Sequence, residues 1–174
     1  GYIQTTPIQL CLMTAQIANG GFKIYPKIIV DDKIKDQPID KFTPLYKDSK
    51  NIRIVQDAMF GSTNEVMGTS YRSRINDPKY QFAGKTGTAQ VKKITERDRE
   101  LDLKTFQIPY EERDHALYIA FGPYKQPRYA LSILIEHGGN GSTTAAPMAK
   151  ELFKLVIDRH TYRQSINEKK YLEI

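Results

Sequence analysis

Scarcity marks this chain of 174 residues: one cysteine, three histidines, and no apolar run of the roughly 18 residues that a membrane-spanning helix needs. Cys11, between Leu10 and Leu12, has no partner for an internal disulfide and reads as a small core side chain. His115, His137 and His160 stand at no metal-ligand spacing, so neither a metal nor any other cofactor is expected. Without a long apolar run or a signal-peptide pattern, no segment of the sequence as given is expected to insert into a bilayer. A stripe of one charge is lacking too. The net charge is +6, from 26 Lys and Arg against 20 Asp and Glu, but the signs alternate, as in Thr95 to Glu100, and no nucleic-acid partner is expected.

The content that remains fits one folded core, with 40% apolar and 10% aromatic residues. Thr6-Pro7 reads as a helix start, a capping hydroxyl followed by proline where no N–H partner is lost, and Gly20-Gly21 as its stop. Between them Ile8, Cys11, Leu12, Ala15 and Ala18 follow helical spacing, and Leu10, Met13 and Ile17 fill much of the remaining surface, which predicts a helix buried on most sides. Phe22 to Val30 reads as extended and broken by Pro26, and residues 31–50 as loop. A second helix is expected over 51–60, ended by Gly61. Charge dominates 92–114, which reads as a loop, either a mobile excursion on the rim of the site or simply a solvated one. Ala116–Phe121 and Tyr129–Ile135 predict two strands joined by a Gly- and Pro-rich connector. Their near-continuous apolar character predicts cover on both faces. Gly138-Gly139-Asn140-Gly141 should turn the chain into a last helix whose buried stripe is Met148, Leu152, Leu155 and Val156, and residues 161–174 read as a polar, frayed or extended tail.

The segment richest in chemistry is Gly84-Lys85-Thr86-Gly87-Thr88-Ala89-Gln90: an ammonium, two hydroxyls and a bare backbone position, suited to holding an anion beside a reacting carbonyl. The flanking apolar residues predict an edge strand, weakened at Gly87 for close ligand approach. Alternation puts Lys85 and Gly87 on one face and Thr86 and Thr88 on the other. Gly84-Lys85-Thr86 also ends like a phosphate-binding loop, but Lys79 stands where that pattern needs its first glycine and no helix is predicted after Thr86. Ser62-Thr63-Asn64 spells Ser-x-Asn and is read as a polar turn behind the second helix.

Taken with Gly1-Tyr2-Ile3-Gln4-Thr5-Thr6-Pro7, Ala18-Asn19-Gly20-Gly21 and His137-Gly138-Gly139 ahead of Ala145-Ala146-Pro147, the Gly84 to Gln90 segment resembles the C-terminal part of the transpeptidase domain of class B penicillin-binding proteins, in their elongation-type, penicillin-binding protein 2 branch. The resemblance spans residues 1–160. It implies an α+β, penicillin-binding-protein and serine β-lactamase-like fold, with three consecutive antiparallel strands packed by helices and a tail over 161–174.

The resemblance also implies a D,D-transpeptidase that cross-links peptidoglycan stem peptides ending in D-Ala-D-Ala and is acylated by β-lactams. Lys85 and Thr88 would be catalytic. Lys85 would supply positive potential and assist proton movement, and the N–H of Thr88 would be half of an oxyanion hole. Thr86, Gly87 and Thr88 would bind substrate, the two hydroxyls through its carboxylate. No Ser-x-x-Lys or Thr-x-x-Lys occurs, so the nucleophile and the rest of the domain are expected outside this chain, which should be inactive alone. The intact relative would be anchored by an N-terminal helix, working at the periplasmic face of the inner membrane with cell-wall elongation partners. Rival readings are a serine β-lactamase, a β-lactam sensor, and a non-catalytic structural or partner-binding module built on the same fold.

Overall fold

A computed structural model describes residues 4–26, 28, 43–92, 96 and 103–172. Helix α1 (Pro7–Ala18) starts as the sequence predicts: the Thr6 hydroxyl accepts from the N–H of Gln9, and the Gln9 side chain accepts from the N–H of Thr6. It lies against the third strand, where the Cys11 thiol points at the carbonyl of Ala130. Burial pushes that thiol's pKa up. The expectation that α1 is buried on most sides is corrected, since Ile8 and Met13 are exposed and Thr14 is its one buried residue. One neighbouring sheet covers one side of a helix, whatever the others carry.

Three consecutive strands, β1 (Ala83–Ala89), β2 (His115–Gly122) and β3 (Tyr129–Ile135), form an antiparallel sheet in chain order, with β1 at one edge. The register runs from Ala83 opposite Phe121 to Ala89 opposite His115, and from Ala116 opposite Ile135 to Gly122 opposite Tyr129. Both faces are covered, as the apolar runs predict. On one face Ala116, Tyr118 and Ala120 pack with Phe82 against the C-terminal helix, and on the other Ala83, Ile119 and Phe121 pack with Ile17, Met59 and Phe60.

Helix α2 (Ser49–Asn64) is longer than its predicted span. It begins inside the expected loop, where the Asp48 carboxylate caps the N–H of Lys50, and it runs through Gly61. Glycine weakens a helix without ending one that packs well. Ser62-Thr63-Asn64 is therefore the last turn of α2 and not a separate polar turn. Gln56 Nε2 donates to the Ile17 carbonyl at 2.7 Å, and Asn64 Nδ2 to that of Phe82 at 2.9 Å, so α2 is tied to α1 and to the start of β1.

A π-helical turn (Gly141–Ala145) leads into helix α3 (Ala146–Leu172), which continues through most of the stretch expected to fray. Its predicted stripe is also corrected. Met148, Leu152, Leu155 and Val156 are exposed, and the buried face is Ala145, Ala146, Ala149, Phe153 and Ile157. Both sets have helical spacing; the alanines win because small side chains let the helix approach Ala116 and Ala120 of β2. Phe153 then stacks on Phe82 with ring centroids 4.9 Å apart. Further along, the Asp158 carboxylate accepts from Lys79 Nζ at 2.8 Å and from the Tyr80 hydroxyl at 2.6 Å.

The loop over 31–50 and the charged excursion over 92–114 fall partly outside the described residues, as does the extended segment over 22–30. Of the first, Phe22 bridges Pro44, and Leu45 N–H donates to Gly21. Of the second, 103–114 forms two 3-10 turns, Thr105–Gln107 and Tyr110–Glu112, held by Lys92 to Glu112 at 2.7 Å and Val91 N–H to Asp114 at 3.2 Å.

Candidate functional site

Strand β1 carries the ammonium and hydroxyls singled out in the sequence, and its level in the sheet is set from behind. Tyr118, fully buried on the central strand, passes its ring beneath Gly84, where a Cβ would fall on the phenol oxygen. The phenol reaches Thr63 Oγ1 at 2.9 Å and Ser70 Oγ at 3.0 Å, both buried. The Thr63 hydroxyl also points to the carbonyl of Met59, and that of Ser70 to the carbonyl of Ser62. With those two protons committed, Tyr118 donates its own to one of the pair. Burial holds the Tyr118 pKa above its ordinary value, so the phenol stays neutral.

Lys85 is opposite Ile119 and Thr86 opposite Tyr118, which puts the two side chains on opposite faces as alternation requires. The edge position of β1 brings them together again. Lys85 Nζ bends back along the strand, 3.0 Å from the Thr86 carbonyl and 3.3 Å from its hydroxyl. A strand edge presents unpaired N–H and C=O groups. The Thr86 carbonyl receives the ammonium, and the two-residue period of a strand turns the N–H of Thr88 to the side that this carbonyl faces. Lys85 and Thr88 are exposed, and Thr86 and Gly87 are half-buried. A Cβ on Gly87 would meet Leu117 Cβ at 3.2 Å, and the π-helical turn packs Gly141 against the backbone of Gly87.

The structure adds Thr69, which no motif indicated, and brings Ser62 of the Ser-x-Asn sequence next to it. Thr69 Oγ1 lies 3.4 Å from Thr86 Oγ1, and Ser62 Oγ lies 3.1 Å from Thr69 Oγ1. The partner of Ser62 Oγ is thus a hydroxyl, neither an amine nor a carboxylate. Thr69 is placed by a tight return of the chain after α2. Ser70 N–H and Oγ both bond the Ser62 carbonyl at 3.0 Å, and at Gly68 a Cβ would fall on that same oxygen. Gly68-Thr69-Ser70 was the available sequence signal, a glycine followed by two hydroxyls.

Beneath Lys85 a cleft of about 720 Å³ opens between α1, α2 and β1, with Ile17, Met59 and Ile119 on its apolar side and Ser62, Thr69 and Lys85 on its polar side. Among the described residues no three His, Cys, Asp or Glu side chains converge as a metal site, and no helix is long and apolar enough to cross a membrane. His115 and His137 touch, the first accepting from the N–H of the second at 2.9 Å, while His160 sits with Arg128.

Residues 1–154 match the family of the penicillin binding protein transpeptidase domain. The peptidoglycan D,D-transpeptidase MrdA of Salmonella typhimurium is 30% identical over 170 residues, covering 91% of this chain and 26% of that protein. The crystal structure of Pseudomonas aeruginosa PBP2 in complex with WCK 5153 superposes with a TM-score of 0.68 at 32% identity, over 89% of this chain and 31% of that one. PBP2 of Helicobacter pylori, in its complex with MreC, gives 0.65 at 30% identity, over 94% of this chain and 26% of that one. The chain spans about a quarter of the length of the curated relatives it matches.

Proposed function

Since this chain belongs to the penicillin-binding protein transpeptidase family and has its α+β fold, we propose that it forms one wall of a peptidoglycan D,D-transpeptidase site. The wall is the edge of β1, and the serine that forms the acyl-enzyme comes from the rest of the domain. The observation that carries this reading is the Lys85 ammonium drawn onto the carbonyl and hydroxyl of Thr86 on a strand at the edge of the sheet.

The chemistry divides among these groups. Lys85 holds a positive charge beside the reacting centre, attracting the carboxylate of a D-Ala-D-Ala end and aiding proton transfer toward the leaving nitrogen. The hydroxyls of Thr86 and Thr88 bond that carboxylate, and charge-assisted bonds are roughly twice as strong as neutral ones. The Thr88 N–H donates to the oxyanion formed when serine attacks, an interaction worth about 3–4 kcal/mol in the transition state. Gly87 leaves room for the substrate chain beside it. A β-lactam presents the same carboxylate and acyl carbon and is held the same way.

The intact protein would act at the periplasmic face of the inner membrane, anchored by a helix outside this chain. The likeness to PBP2 solved with MreC supports a partner of the cell-wall elongation machinery. Fluorescent penicillin followed by denaturing electrophoresis tests the reading. The intact protein should label and the 174-residue chain alone should not. A covalent band on the isolated chain would overturn the split assignment, and Ser62 would then be the first serine to replace.

A further inference from the structure

We infer that Thr69 is a positioning residue for carboxylate recognition, aiming the Thr86 hydroxyl through a directed line of hydroxyls that starts at Ser62. The inference rests on the transpeptidase reading of β1 and extends it to a residue outside the Lys-Thr-Gly-Thr segment.

The argument is a proton count. A threonine hydroxyl has one proton to donate and two lone pairs. For Thr86 to give its proton to a carboxylate, its lone pairs are best occupied by donors. Lys85 Nζ, at 3.3 Å, is one, and an ammonium can only donate. Thr69 Oγ1, at 3.4 Å, is the other available group. If Thr69 gives its proton to Thr86, it must in turn be an acceptor, and Ser62 Oγ at 3.1 Å supplies that proton. The order Ser62 to Thr69 to Thr86 to carboxylate therefore has a single sense once an anion takes the last proton.

The Thr69 to Thr86 separation is longer than the usual hydroxyl pair of about 2.7–2.8 Å. Such contacts tighten when charge draws on the end of the line. What the fold provides beforehand is placement. Thr69 stands between Gly68 and Ser70, both packed onto the Ser62 carbonyl, and Ser70 is held from below by the Tyr118 phenol. Thr69 itself is exposed, so its hydroxyl can be removed without opening the core.

The test uses the intact protein that carries this chain and two probes, a penicillin with its free carboxylate and the methyl ester of the same penicillin. Thr69→Val should lower the second-order acylation rate by the acid about tenfold and leave the rate with the ester unchanged. The loss should lie in the binding constant and not in the first-order acylation step, Thr69→Ser should restore it, and the thermal midpoint should not move. Equal losses with both probes, or no loss with the acid, would overturn the inference. A wild-type protein that neither probe labels would instead overturn the transpeptidase reading beneath it.

Discussion

Single residues on β1 divide between chemistry and placement. Lys85 is exposed and, among the described residues, bonded only to its neighbour Thr86. Lys85→Met should therefore leave the urea midpoint of the intact protein nearly unchanged while cutting its acylation rate about 10²- to 10⁴-fold. Unfolding of that variant would show that the lysine is structural. Gly84 has the opposite character. A Cβ there collides with the buried Tyr118 hydroxyl, so Gly84→Ala should destabilise by about 1–3 kcal/mol in urea unfolding, and an unchanged midpoint would contradict the packing described. Lys85, Thr86, Gly87 and Thr88 could be singled out as candidates from the sequence because their residue types are contiguous and chemically unusual together. The sequence did not reveal Thr69, whose link to Thr86 crosses 17 positions and depends on a reversal after α2 that residue types alone do not specify.

Among the elements, ends and faces separate what was legible from what was not. The start of α1 could be read from Thr6, Pro7 and Gln9, since capping is local; Thr6→Ala should cost about 1 kcal/mol in thermal or urea unfolding. Strands β2 and β3 could be read because burial on both faces leaves apolar runs. The far end of α3 could not, because the approach of helix ends is signalled by glycine or proline, and neither occurs after Pro147. Nor could its buried face, since periodicity offers two stripes and the alanines are chosen by the neighbouring strand. The central strand brings a pH dependence through Tyr118. Its folded pKa lies above the ordinary 10.0 because burial disfavours the phenolate. Its contribution is thus complete below about pH 10 and is lost as pH rises through the folded value, because only the unfolded chain ionises readily there. Tyr118→Phe should be less stable by about 1 kcal/mol at neutral pH and should lose less stability than wild type between neutral pH and strong alkali. Parallel pH profiles of the two proteins would contradict this.

At the scale of the molecule, the sheet is a plate with helices α1 and α2 on one face and α3 on the other, and the two faces serve different ends. The α1 and α2 side carries the cleft under Lys85, while α3 gives the core Ala146, Ala149, Phe153 and Ile157, with Phe153 stacked on Phe82. A chain ending at residue 150 should therefore lose cooperative thermal unfolding, whereas one ending at residue 162 should keep it; equal melts would show that α3 is dispensable. The pairing of Asp158 with Lys79 and Tyr80 joins residues 79 and 78 positions apart, immediately ahead of the strand that carries the candidate site. Synthesis runs from the N-terminus, so Gly84 to Thr88 leave the ribosome well before the residues that clamp their approach. An early stop codon in α3 would yield a polypeptide with every motif of the wall spelled out and no fixed strand to display them.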